Sequence, residues 1–152
     1  PERDIAVLAG VIGMRTDKQL LRIFETEPDW IFQLTGMPSP GASTLRSLTI
    51  KALERRADGV VVPDAMDHPL TVVEFQFQKD PTVYPRIVVE MALLQQSHQM
   101  RPVQGLIFFA YHELDPKTEP WTQVVRSYSF PDVLRQFERS HPGNIWERRK
   151  SR

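Results

Sequence analysis

Asp58 and Glu74 have the types and spacing to hold a divalent cation, with Gln76 beside them. Asp58 precedes the apolar run Gly59-Val60-Val61-Val62. Glu74, Gln76 and Gln78 alternate with Val73, Phe75 and Phe77 in the run Leu70 to Gln78. Between the two runs stands Pro63-Asp64-Ala65-Met66-Asp67-His68-Pro69, which is turn chemistry. Adjacent strands that flank such a turn are antiparallel. Residue 66 is the centre of the turn and lies midway between 58 and 74, so a symmetric hairpin sets Asp58 nearly opposite Glu74. Side chains at opposed positions sit about 5 Å apart. Two carboxylates at that range repel unless a cation lies between them or one is protonated. Hydrated Mg²⁺ suits the position, being held in many sites by one or two carboxylates plus a substrate phosphate. Gln76 faces the same side as Glu74, and its amide can orient a water or meet a phosphate oxygen without adding charge.

Other residues extend this patch. Arg86 and Glu90 are i, i+4 neighbours on the next element and can pair, or Arg86 can reach a phosphate. Lys51, Arg55, Arg56 and Lys79 cluster in sequence around the carboxylates. Lys51, Arg56, Lys79 and Arg86 are therefore the candidate substrate-binding cations. Plainer readings apply to the same residues. An Asp before Gly also serves as a turn or cap residue, and a Glu-x-Gln face is also the solvent side of an amphipathic sheet. Arg86 with Glu90 also reads as a surface pair. His68, His98, His112 and His141 lack metal-ligand spacing and read as surface or loop residues. Trp30, Trp121 and Trp146 read as core or part-core. The chain has no Walker loop, no Gly-rich dinucleotide motif and no Gly-x-Ser-x-Gly.

The elements that must position these residues follow from periodicity. Residues 1–13 allow a short helix. Asp17 can cap a helix through Leu20, Leu21, Ile23 and Phe24. Pro28 suits the first position of a second helix and Gly36 its end, with Trp30, Ile31 and Leu34 as its apolar face. Residues 37–41 form a loop. Leu48, Ile50 and Leu53 mark a strand, Gly59 to Val62 a short one, and Leu70 to Gln78 the clearest. A helix from about Tyr84 to Gln99 carries the stripe Ile87, Met91 and Leu94, widened by Val88. Gly105 to Tyr111 and Gln123 to Phe130 read as strands, and Pro131 opens a short helix with Val133, Leu134 and Phe137. Helices around a central mixed β-sheet make an α/β (α+β) domain.

The chain has 152 residues, 41% hydrophobic and 25% charged, which fits one soluble globular domain over 1–152. It has no Cys, so neither disulfides nor Cys-ligated zinc hold it, as suits a cytoplasmic protein. No apolar run approaches the roughly 18 residues of a membrane span. Pro1 in place of Met is expected of a processed start or a piece of something longer. Nineteen basic residues balance nineteen acidic ones. That excludes a general nucleic-acid glue, which would be strongly basic, but leaves room for an enzyme with local positive charge. Residues 147–152 form a basic tail, expected to be a solvated end.

Arg56-Ala57-Asp58-Gly59-Val60, the run Val73 to Asp80, and Tyr84-Pro85-Arg86 with Glu90 resemble the PD-(D/E)xK nuclease superfamily. The nearest resemblance is to its recombination-promoting nuclease and transposase-like branch, which includes a bacterial family of unknown function. Thr16-Asp17-Lys18 through Phe24, Phe32 to Gly36, and Leu106 to Phe109 extend it, over roughly residues 16–135. The resemblance implies a restriction-endonuclease-like fold. It also implies a divalent-metal phosphodiesterase site, with Asp58 and Glu74 as the metal-binding carboxylates and Gln76 where a Lys is usual. Ala57 stands where the superfamily name has Pro. Glu25 and Glu27 are candidates for an acidic residue contributed by the opening helix.

The function this implies is Mg²⁺- or Mn²⁺-dependent hydrolysis of DNA phosphodiesters, with Asp58, Glu74 and Gln76 as catalytic residues. The partner is then DNA, with a homodimer allowed and no membrane. Two other readings stand beside it. One is a non-catalytic DNA- or protein-binding domain that keeps the nuclease fold. The other is an accessory to transposition that cuts only with a partner.

Overall fold

The computed structural model describes residues 17–50 and 55–141. The chain runs α1 (Asp17–Thr26), α2 (Asp29–Thr35), β1 (Ser43–Ile50), β2 (Arg55–Pro63), β3 (Leu70–Gln76), α3 (Val83–Ser97), β4 (Val103–Phe109), β5 (Val125–Ser129) and α4 (Phe130–Ser140). Two 3₁₀ turns, His112–Leu114 and Trp121–Gln123, interrupt the connection from β4 to β5. The expectations for residues 1–13, Lys51, Leu53, Trp146 and the basic tail lie outside the described residues, as do the side chains of Asp17 and Arg56.

One five-stranded sheet, in the order β1-β2-β3-β4-β5, organises the domain. The first three strands form an antiparallel meander, and β3, β4 and β5 are parallel. The sheet is therefore mixed and flanked by helices, an α/β fold. Parallel neighbours need a crossover, and α3 is the one between β3 and β4.

Alternation along the strands divides the interior. Val61, Val73, Phe75, Leu106 and Phe108 join residues of α1, α2 and α4 in one cluster. Val60, Leu70, Val72, Ile107, Phe109 and Val125 join Val83, Tyr84, Ile87 and Leu94 of α3 in the other. Both faces of β3 are thus covered, and Leu70 to Phe75 are all buried. The expected pairing of a wet Glu-x-Gln face with a dry Val-x-Phe face does not hold at Glu74, because α3 closes over that side.

Local chemistry explains the boundaries. Gly36 takes φ +72° after α2, a left-handed conformation that glycine adopts without penalty, and its N–H closes on the Phe32 carbonyl. Pro28 is the N-cap of α2, one position earlier than expected. Ser129 caps α4, its Oγ accepting from the Asp132 N–H, with Pro131 in the first turn. Strand β3 ends at Gln76, two residues early. There the Gln76 carbonyl takes the Ala110 N–H, and its side-chain amide donates to the Gln78 carbonyl. Gly59 permits a close approach: a Cβ there would lie 2.9 Å from Leu45 Cδ1 and 3.0 Å from Leu21 Cδ1.

Arg101 fixes the hairpin between β2 and β3. It is 8% exposed, and its guanidinium donates to the carbonyls of Pro63 at 3.0 Å, Ala65 at 2.9 Å and His68 at 3.1 Å. A turn rich in Pro and Asp has few partners for its own carbonyls, and one planar fork supplies three.

Candidate metal centre

The ladder between β2 and β3 pairs Gly59 with Val73, Val60 with Val72 and Val61 with Thr71. This is the register that a turn centred on residue 66 requires. The same register carried one step further sets Asp58 across from Glu74. There the ladder gives way to a side chain, for Asp58 Oδ2 accepts the Phe75 N–H at 2.9 Å. The backbone of β3 thus anchors the Asp58 carboxylate. Gly59 points its missing side chain toward α1, so its neighbour Asp58 points to the opposite face, the face of α3. Glu74 also lies on that face, because Val73 and Phe75 belong to the cluster on the other.

Helix α3 adds a third carboxyl. Glu90 is 1% exposed and Glu74 4% exposed. Burial pushes the Glu74 carboxyl up to about 11, followed by its hydrogen bond with Glu90 and the negative charge of Asp58. An apolar surrounding disfavours a bare carboxylate, and nearby carboxylates disfavour it further. In the free protein Glu74 is therefore a neutral acid that shares its proton within the cluster. One of its oxygens, Oε1, is buried and meets no hydrogen-bond donor. An unsatisfied buried acceptor costs about 1–3 kcal/mol.

Asp58 and Glu74 offer oxygen atoms only, the kind of donor that a hard cation such as Mg²⁺ or Mn²⁺ takes. Among the described residues no three or more His, Asp or Glu side chains form a ready-made metal cage. Hydrogen bonds instead link Glu74 to Glu90 and to Asp58. Asp58 and Glu74 are the pair of carboxyls that could hold a divalent ion.

The remaining expected residues divide. The Gln76 amide donates to the Gln78 carbonyl at 2.7 Å, and its Oε1 faces Arg86 Nη2 at 3.4 Å. Arg86 Nη1 meets Asp80 Oδ2 at 2.5 Å. The two helix residues expected to pair are thus engaged elsewhere, Arg86 with Asp80 and Gln76, Glu90 with Glu74. Lys79 is exposed in the segment between β3 and α3. Glu25 is exposed on α1. Glu27 lines a depression with Ser39, Ala42 and Asp64. Asp64 follows β2 at the turn, whereas Asp58 lies six residues back along the strand, roughly 20 Å away at about 3.3 Å per residue. Glu27 therefore belongs to the other end of the hairpin and is no part of the cluster.

Residues 16–138 match the family described as Protein of unknown function (DUF2887). The chain belongs to that family. The match covers the stretch over which the sequence resembles a bacterial family of unknown function. No curated protein and no solved structure matches the chain significantly. In this DUF2887 domain, sequence reasoning missed Glu90 as a partner of Glu74. A signal was present: Ile87, Glu90, Met91 and Leu94 fall at i, i+3, i+4 and i+7, so the acid stands within the buried stripe of its helix. Asp80 was missed as well. Its carboxyl is held below its ordinary value by the hydroxyl and backbone N–H of Thr82, with Arg86 adding to them.

Proposed function

We propose that this domain is a metal-dependent phosphodiesterase acting on DNA, with Asp58 and Glu74 holding Mg²⁺ or Mn²⁺ and Gln76 beside them. The buried Glu74 carboxyl, beside Asp58 and Glu90 and with an Oε1 that no donor meets, carries the reading. An ion at that point satisfies the orphaned oxygen and offsets both the burial and the neighbouring charge that together keep Glu74 protonated. When bound, Mg²⁺ supplies Lewis acidity toward a phosphoryl oxygen and lowers the pKa of its water. Asp58, fixed by the Phe75 N–H, holds its carboxylate in place without reorganisation. Gln76 at the end of β3 is placed to orient a water. The mixed sheet flanked by helices is the architecture implied by the likeness to PD-(D/E)xK nucleases, and the Asp…Glu-x-Gln run lies on one of its strand pairs.

The test is nicking of supercoiled plasmid with Mg²⁺, Mn²⁺ or EDTA by the wild type, Asp58→Ala and Glu74→Gln. The expected result is ion-dependent cleavage by the wild type alone, with the melting temperature of Glu74→Gln preserved. Equal cleavage by all three proteins, or none by the wild type, rejects the reading.

The proton shared by Glu74 and Glu90 favours a second reading, a non-catalytic binding domain that retains this fold. Such a domain has no use for the ion. Calorimetric titration with Mn²⁺ separates the two, since heat that disappears in Glu74→Gln belongs to the first.

A further inference from the structure

Helix α3 runs back along β3, and the two elements meet at matching intervals. Four residues of helix rise about 6 Å, and two residues of strand span about 6.6 Å. Glu90 therefore stands over Glu74 while Arg86 stands over Gln76. The first pairing is buried and made of two carboxyls. The second lies nearer the surface and is cationic: Arg86 and Asp80 side chains are each 23% exposed.

The guanidinium is held but not used up. Of its five N–H donors, Nη1 meets Asp80 and Nη2 meets Gln76 at 3.4 Å, the longer and weaker contact. Asp80 is itself engaged by Thr82 through both N–H and hydroxyl. It therefore sets the direction of Arg86 without enclosing it. The acidic cluster of Asp58, Glu74 and Glu90 offers a phosphodiester no positive charge, and neither does Gln76. Arg86 is a cation fixed one helical turn from the cluster on the same face of the sheet.

We infer that Arg86, aimed by Asp80 and Gln76, is the phosphate-binding residue that brings the nucleic-acid backbone to the carboxylate cluster. This rests on the reading above for the substrate class. A planar fork with donors to spare matches two phosphate oxygens. Asp80 positions it, and Gln76 is the partner that a phosphate displaces.

The decisive measurement uses the whole chain and a fluorescein-labelled duplex oligonucleotide. Anisotropy is read in EDTA over a range of salt, so that no metal and no turnover is needed. Arg86→Ala weakens binding by about 5- to 10-fold and lowers the salt slope by about one. Asp80→Ala loses the guide but keeps the guanidinium and removes a carboxylate that repels phosphate, so it loses clearly less affinity than Arg86→Ala. Adding Gln76→Lys to Arg86→Ala restores affinity, because the new ammonium rises from the opposite residue without rebuilding the Asp80 pair. Equal losses in Arg86→Ala and Asp80→Ala would show a merely structural pair and overturn the inference. Unchanged affinity and slope in Arg86→Ala, or no binding by the wild type, overturn it too. Plasmid nicking separates the two readings. A wild type that binds through Arg86 but does not cut leaves the inference standing and removes the catalytic reading. Cutting with an unchanged KM in Arg86→Ala does the reverse.

Discussion

At the scale of single residues, Glu74 links stability to pH. The native state keeps its proton up to about 11, whereas an ordinary glutamate releases it near 4.5. Between those values the folded chain binds more protons than the unfolded one, so stability falls as pH rises. The contribution is complete below 4.5 and is lost progressively toward 11. Glutamine imitates the neutral acid and does not titrate. Glu74→Gln is therefore expected to lose less melting temperature than the wild type between about pH 5 and pH 9 in EDTA. Parallel pH profiles for the two proteins would contradict the assignment of a buried neutral acid. Under the proposed function, Mg²⁺ or Mn²⁺ entering beside Glu74 releases a proton. In calorimetry this appears as a binding heat that changes with the ionisation enthalpy of the buffer.

At the scale of elements, the hairpin of β2 and β3 depends on Arg101. Three turn carbonyls share its guanidinium, and hydrogen bonds from a charged donor are the stronger kind. Arg101→Met keeps much of the stem and removes the donors. Urea unfolding should show a loss of about 2–3 kcal/mol, and amide exchange should quicken in residues 64–70. Full retention of stability would mean that water replaces the guanidinium without penalty. The Asp58–Glu74 register lies at the far end of the same hairpin, so a loosened turn is also expected to quicken exchange of the Phe75 N–H that Asp58 accepts.

At the scale of the whole molecule, aromatic residues tie the sheet to its helices. Phe108 is fully buried, with ring centroids 6.0 Å from Phe24, 6.0 Å from Phe75 and 4.9 Å from Phe130. One ring on β4 thus touches α1, β3 and the start of α4. Phe108→Ala is expected to cost about 3–5 kcal/mol in chemical denaturation. The loss should fall on α1 and α4 in hydrogen exchange more than on α3, which packs on the opposite face. Uniform loss over all helices would argue against two separate layers.

Much of this architecture is legible in the chain. Alternation in 70–76 and the turn residues of 63–69 determine the hairpin, and the position of residue 66 determines its register, because an antiparallel pair has only one register for a given turn centre. Apolar periodicity and Gly36, Pro85 and Pro131 mark the helices. What the chain leaves open is which side of the sheet becomes wet. Glu74 and Gln78 look alike in a pattern of alternation. Only the return of α3 across β3, set by the crossover to β4, buries the first and leaves the second exposed. The same packing turns Glu90 from a surface partner of Arg86 into a third carboxyl against Glu74. It also hands Arg86 to Asp80. These contacts join residues of different elements, and their energies depend on burial and local dielectric, which local sequence pattern does not encode.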